Sequence, residues 1–230
     1  MSTQKKNIID DGFRADLVRT AEFTGILEIP AIDAPTEFII PRDTIPFSLR
    51  NQTKDYSEFI VFYEHDIRFA DLLTATDDYL DDLRNFPGVI SPDCSLYRDM
   101  PLVLQIANTY MNRAVGHYLQ SQGIYVIPNV RWGDERSYTT CVLPEKFAFL
   151  GIPKHSIVSI GTYGCIQSKE NKHYFKEGLR AMLEELEPEI VLVYGGMPDE
   201  VFKDFKDKTR FIMLVVKLLI RLNFYLKLNK

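Results

Sequence analysis

Between residues 58 and 195 the chain carries five short apolar runs, rich in branched and aromatic residues, mostly separated by helix-length segments. They are EFIVFY (58–63), GVIS (88–91), IYVIP (124–128), SIVSIG (156–161) and EIVLVYG (189–195). Each is too short for a typical helix and continuously apolar, the pattern of a strand covered on both faces. Residues 64–86 follow the first run, with Phe69, Leu72, Leu73, Tyr79, Leu80 and Leu83 near helical spacing. Residues 101–123 read as a second helix, with Pro101 in its first turn and Gly123 at its end. KENKHYFKEGLRAMLEELEP is a third, closed by Pro188. This alternation predicts an α/β fold with a mostly parallel sheet or a partial barrel. The connection WGDERSYTTCVLPEKFAFLGIPKHS is long and not clearly helical, and loops of that length are usually functional or disordered.

The two ends read differently. Residues 1–57 hold prolines at 30, 35, 41 and 46, a density that breaks helices and leaves short extended pieces at best. They are expected to form an irregular arm packed on an α/β domain of residues 58–210. Residues 211–230 form an apolar, basic tail. Lys217 and Arg221 interrupt it, so no transmembrane span is expected. It reads either as a final strand (210–216) with a helix packed on the core, or as an interfacial helix touching a membrane surface through residues 211–228.

Net charge is −5, but unevenly spread: −9 over residues 1–100, −2 over 101–200 and +6 over 201–230. Phosphate affinity needs clustered cations, so the core is not expected to bind nucleic acid non-specifically. With 46% hydrophobic residues in 230, a full-sized core is available. Three cysteines without a CxxC pair argue against a disulfide framework, and the start MSTQKKNIIDDGFR lacks an apolar signal segment. A reducing, cytoplasmic location is the expectation.

Parallel α/β folds bind ligands beyond the carboxyl ends of their strands, where loops diverge over a rigid sheet. Glu64-His65-Asp66 follows the first run. Ser91-Pro92-Asp93, then Tyr97-Arg98-Asp99, follows the second. Asn129, Arg131, Trp132, Asp134, Glu135 and Arg136 follow the third, Gly161-Thr162-Tyr163-Gly164-Cys165 the fourth, and Tyr194-Gly195-Gly196 the fifth. Asp93 and Glu135 are candidates for acid/base work or for holding a cation, against ion-pairing with Arg98, Arg131 or Arg136. Asp99, just before Met100-Pro101, reads as a helix N-cap. Arg131-Trp132 places a planar cation beside the only tryptophan, suiting an anionic or ring-bearing ligand; the other reading is a rim plug and a structural ion pair. GTYGC could cradle a phosphate with its amides, or make a tight turn. It matches neither the dinucleotide fingerprint nor the Walker loop, so no cofactor is named. Cys165 reads as nucleophile, ligand or small buried hydrophobe. His65 lies near Glu64, Asp66 and Asp93, but no zinc spacing supports a metal site. Asp77, Asp78, Asp81 and Asp82 read as a solvated helix face. Gln105, Asn108, Asn112 and Arg113 form a polar stripe facing either the site or water.

The run SPDCSLYRDMPLVLQIANTYMNRAVGHYLQSQGIYVIPNVRWGDERSY, with GIPKHSIVSIGTYGC and EIVLVYG, resembles the domain of unknown function family 4417 over roughly residues 24–210. The resemblance implies a coherent domain of bacterial and phage proteins, frequent on mobile elements, and supplies no activity. Cys94 stands where the family motif is usually aromatic, and resemblance fades after KDKTRFI. The combined expectation is a polar, anionic ligand, a nucleotide or nucleic-acid end, held by Arg98, Asn129, Arg131, Trp132, Thr162 and Cys165, with Asp93 or Glu135 as the acid/base or cation-holding group. The alternative is a non-catalytic interaction factor of a mobile element, whose rim residues would be ion-paired around no cavity.

Overall fold

A computed structural model describes residues 14–214. A small antiparallel hairpin, β1 (Phe23–Thr24) with β2 (Ile29–Pro30), precedes the main sheet. Strands β3 (Thr44–Pro46), β4 (Phe59–Val61), β5 (Val89–Ile90) and β6 (Val126–Ile127) pair in that order, all parallel. Strands β7 (Ile157–Gly161), β8 (Ile190–Tyr194) and β9 (Arg210–Leu214) do the same. A parallel bridge from Asn129 to Ser159 joins the two groups, with Val130 N–H donating to Ser159 O at 2.8 Å. Neighbours therefore follow chain order without reversal, as in barrels rather than doubly wound sheets.

The sheet is strongly curled. Tyr63, just past β4, stacks on Tyr194 at the end of β8, ring centroids 4.6 Å apart. Four strand spacings in a flat sheet would separate them by roughly 19 Å. Gly161 makes room, because a Cβ there would sit 2.7 Å from the Tyr63 ring. Alternate residues of six strands meet inside the curl, among them Phe59, Val61, Ile90, Ile127, Ile157, Leu192 and Leu214. Phe38 and Ile40 pack partly buried against this inner cluster, near the strands' amino ends. Tyr125 OH anchors them, accepting from Ile39 N–H and donating to Glu37 O. This is the partial barrel of an α/β fold.

Helices cover the outside. In chain order they are α1 (Ala70–Thr74), α2 (Leu80–Leu83), α3 (Leu102–Ser121), α4 (Glu135–Tyr138), α5 (Lys169–Leu186) and α6 (Asp199–Phe202). Ser168 caps α5 by accepting from Asn171 N–H at 3.0 Å, and Glu187 ends it in a left-handed conformation before Pro188.

Two expectations need correction. Residues 64–86 are not one helix: α1 and α2 are single turns joined by 3-10 pieces. Thr76 Oγ1 bonds back to Leu72 O at 2.7 Å, and Thr74 Oγ1 to Asp71 O, side-chain bonds that compete with helix continuation. The four aspartates thus share no continuous face; Asp81 and Asp82 pair with Arg84 and Arg50, and Asp77 meets the Tyr118 hydroxyl. Among the short extended pieces expected of the proline-rich segment, β3 pairs at the sheet edge, where the missing N–H of Pro46 is tolerated. Asp99 caps nothing, since α3 begins at Leu102 after an extended Pro101. The strand read for 210–216 is β9 as far as Leu214; the rest of the tail, with its membrane-surface reading, lies outside the described residues. No helix among the described residues is long and apolar enough to cross a membrane.

Candidate functional site

Because adjacent strands run the same way, the loops after β4, β5, β6 and β7 emerge at one rim. They are laced together. Asp66, after β4, accepts from Ser95 N–H and Oγ, after β5, at 3.0 and 2.7 Å. Glu64 is held by Ser48, through N–H at 2.9 Å and Oγ at 2.5 Å. His65 is exposed beside them. Thr162, after β7, donates to Gly196 O at 2.8 Å, tying in the loop after β8.

Beneath the rim lies a polar network between sheet and α3. Asn129, fully buried, donates from Nδ2 to Asp93 Oδ1 at 2.8 Å and accepts at Oδ1 from Tyr63 OH. Asn112 and Arg113 face inward from α3: Asn112 donates to Pro92 O, and Arg113 to Asn129 O, Ala148 O and Leu150 O. The polar stripe of α3 thus turns neither to the site nor to water. It braces the strand ends from behind, and Gln105 sits directly under Gly133.

Arg131 rises from this network. Its Nη1 donates to Asp93 Oδ2 at 3.1 Å, with side-chain exposures of 16% for Arg131 and 10% for Asp93. Burial raises the pKa of the Asp93 carboxyl; Arg131 and the Asn129 hydrogen bond pull it back, while Asp66 adds to the rise. Burial acts to lower the Arg131 pKa, but Asp93, with Cys165, Tyr97 and Asp66, outweighs it and holds the guanidinium charged. The Cys165 thiol is also pushed up by burial, against the pull of Arg131.

Above Arg131 opens a cleft of about 330 Å³. Tyr97, Arg98 and Asp99 line it from the loop after β5, Arg131, Trp132 and Gly133 from the loop after β6, and Gly164 and Cys165 from the loop after β7. Asn171, Tyr174 and Phe175 close it from the first turns of α5. Arg98 stands at the lip, 4.8 Å above the Tyr174 ring and paired with Glu170 at 2.6 Å. Gly164, at φ +80°, lets the chain turn sharply into the approach to α5.

Of the residues singled out from sequence, Arg98, Arg131, Trp132 and Cys165 line this cleft. Asp93 and Asn129 lie below its floor, and Thr162 is buried in the loop tie. Glu135 is exposed in the first turn of α4, outside the lining. Trp132 combines both readings: it borders the cleft, yet its ring packs against Phe175 at 5.1 Å and over Gly178. Tyr97 was placed at the rim but given no role, and Asn171 and Tyr174 were missed. The signal for the latter two was present, since Asn171, Tyr174, Phe175 and Gly178 fall at i, i+3, i+4 and i+7, one stripe of α5. Among the described residues no three His, Cys, Asp or Glu side chains converge as a metal site would require.

Residues 21–214 match the domain of unknown function DUF4417. The Gene 1 protein of Mycobacterium phage L5 is 31% identical over 186 residues, covering 79% of this chain and 77% of that protein. The Gene 1 protein of Mycobacterium phage D29 is 33% identical over 136 residues, covering 59% of this chain and 48% of that protein. No solved structure matches. The chain belongs to the DUF4417 family, and phage proteins are among its relatives.

Proposed function

We propose that this DUF4417 protein binds a small phosphate-bearing ligand of the nucleotide class in the cleft over β5, β6 and β7. The observation that carries the reading is Arg131, a charged guanidinium at the cleft floor. Its carboxylate partner among the described residues, Asp93, lies below the floor, which leaves donors on the cleft side. Arg98, paired with Glu170, brings a second cation to the lip. Asp93 is a positioning residue here: held by Asn129, it fixes the direction of Arg131. Glu135 takes no part. A protein-docking factor without a ligand would have no use for the cleft, so the open space favours binding.

Calorimetric titration with AMP tests this on the wild type, Arg98→Ala and Arg131→Lys. A charge-assisted hydrogen bond contributes about 1.5–3 kcal/mol, so each variant should weaken binding by about tenfold or more. Arg98→Ala should melt like the wild type, because Arg98 is part-exposed. Absent heat with the wild type, or equal affinity in all three, rejects the reading.

A further inference from the structure

Resting on the anion-binding reading of the cleft, we infer that its ligand is the phosphate-bearing end of a single nucleic-acid strand, whose next bases stack on Tyr97 and Tyr163. At about 330 Å³ the cleft is small for an organic ligand site, with room for one phosphate and little beyond its own sugar and base. A longer partner must leave it across the lips. Tyr97, 51% exposed, lines the cleft, and Tyr163, 62% exposed, directly precedes Gly164 of its lining. The other large aromatic side chains this exposed among the described residues are Phe23 and Tyr56, both in the amino-terminal segment. Of the four such rings, one lines the cleft and another belongs to a residue next in the chain to its lining. The order β5-β6-β7 puts the loop of Tyr97 and the loop of Tyr163 on opposite flanks of the loop that supplies Arg131.

The ring that first suggests itself for stacking, Trp132, is committed to Phe175 in the core and offers only its border. Tyr97 and Tyr163 are exposed rings outside helices and strands, and bases stack on exposed aromatic rings with little sequence preference. Charge points the same way. The first hundred residues carry −9, which disfavours a duplex with its dense phosphates. A strand entering by its end asks only for one or two phosphates to be neutralised, and the cations at hand are Arg131 and Arg98, whose resting partners are Asp93 and Glu170.

The test uses the full chain and fluorescence anisotropy with labelled octathymidylate and octauridylate, each with and without a terminal phosphate, alongside AMP calorimetry. The phosphorylated octamers should bind at least tenfold tighter than AMP, and removing the phosphate should cost about tenfold. Preference between the deoxyribo and ribo forms identifies the strand type. Tyr163→Ala should weaken octamer binding about fivefold or more while leaving AMP within twofold, and Tyr97→Ala, which removes part of the cleft lining, should weaken both, the octamers by the larger factor. If AMP binds but the octamers bind no tighter, or bind equally well to both tyrosine variants, the strand assignment is overturned and the anion site stands. If neither AMP nor octamer binds, both fall.

Discussion

Replacing Arg131 by alanine should destabilise the protein in a way that depends on pH. The substitution leaves the Asp93 carboxylate, 10% exposed, with Asn129 as its remaining hydrogen-bonding partner and no cation. Removing one member of a buried pair typically costs 3–5 kcal/mol; the residual exposure of both side chains reduces this to about 2–4 kcal/mol. For a chain of this size that lowers the melting temperature by roughly 5–15 °C. Burial already holds the Asp93 pKa above the ordinary value, and Arg131 is the largest influence opposing it. Without Arg131 it rises further. A carboxyl with a raised folded pKa binds its proton more tightly folded than unfolded. Its penalty is therefore absent below the unfolded value of about 3.9 and grows as pH climbs through the folded one. Urea unfolding at pH 7 and pH 4.5, followed by circular dichroism, should show the larger loss at pH 7. Asp93→Asn combined with Arg131→Ala should recover about 1–3 kcal/mol of the summed single losses. A loss below about 0.5 kcal/mol at pH 7, equal at both pH values, would refute the assigned pair.

Three further substitutions probe the scaffold. Gly178→Ala places a Cβ 2.2 Å from Trp132 Nε1, so it should cost about 1–3 kcal/mol and shift the emission of the only tryptophan; thermal melts and emission spectra check both. Tyr63→Phe keeps the stack on Tyr194 but removes the bonds to Asn129 and Ser159, at 3.1 and 2.6 Å, and should cost about 1–2 kcal/mol in urea unfolding. Arg113→Met deprives the carbonyls of Ala148, Leu150 and Asn129 of a shared donor and should cost about 3 kcal/mol by the same assay.

Much of the scaffold was legible because it is local. Apolar runs and helix periodicity placed β4 to β8, α3 and α5 within a few residues, and strand–helix alternation implied parallel neighbours. That was enough to put Arg98, Arg131, Trp132 and Cys165 at one rim. The curl was legible only as one of two alternatives, a partial barrel beside an open parallel sheet, since nothing in either local pattern announces that Tyr63 will meet Tyr194 four strands away. The role of Asp93 stood open between acid/base group and ion pair with an arginine. A carboxylate after a strand looks the same whether it faces a ligand or is held beneath a guanidinium, and the deciding partner, Asn129, lies 36 residues further along. The stripe of Asn112 and Arg113 misled for a related reason. Polar helix faces usually meet water, and here one turns inward because strand-end carbonyls need donors. Glu135 read as reactive from its neighbours, but the Asp134 cap and the short α4 turn it outward.

The account rests on a phosphate entering the space over Arg131, and Trp132 borders that space as the only tryptophan. Titrating AMP while recording tryptophan emission tests it most directly. A saturable change in the wild type, at least tenfold weaker in Arg131→Lys, is the expected result. Unchanged emission up to millimolar AMP, or the same curve in both proteins, would contradict it.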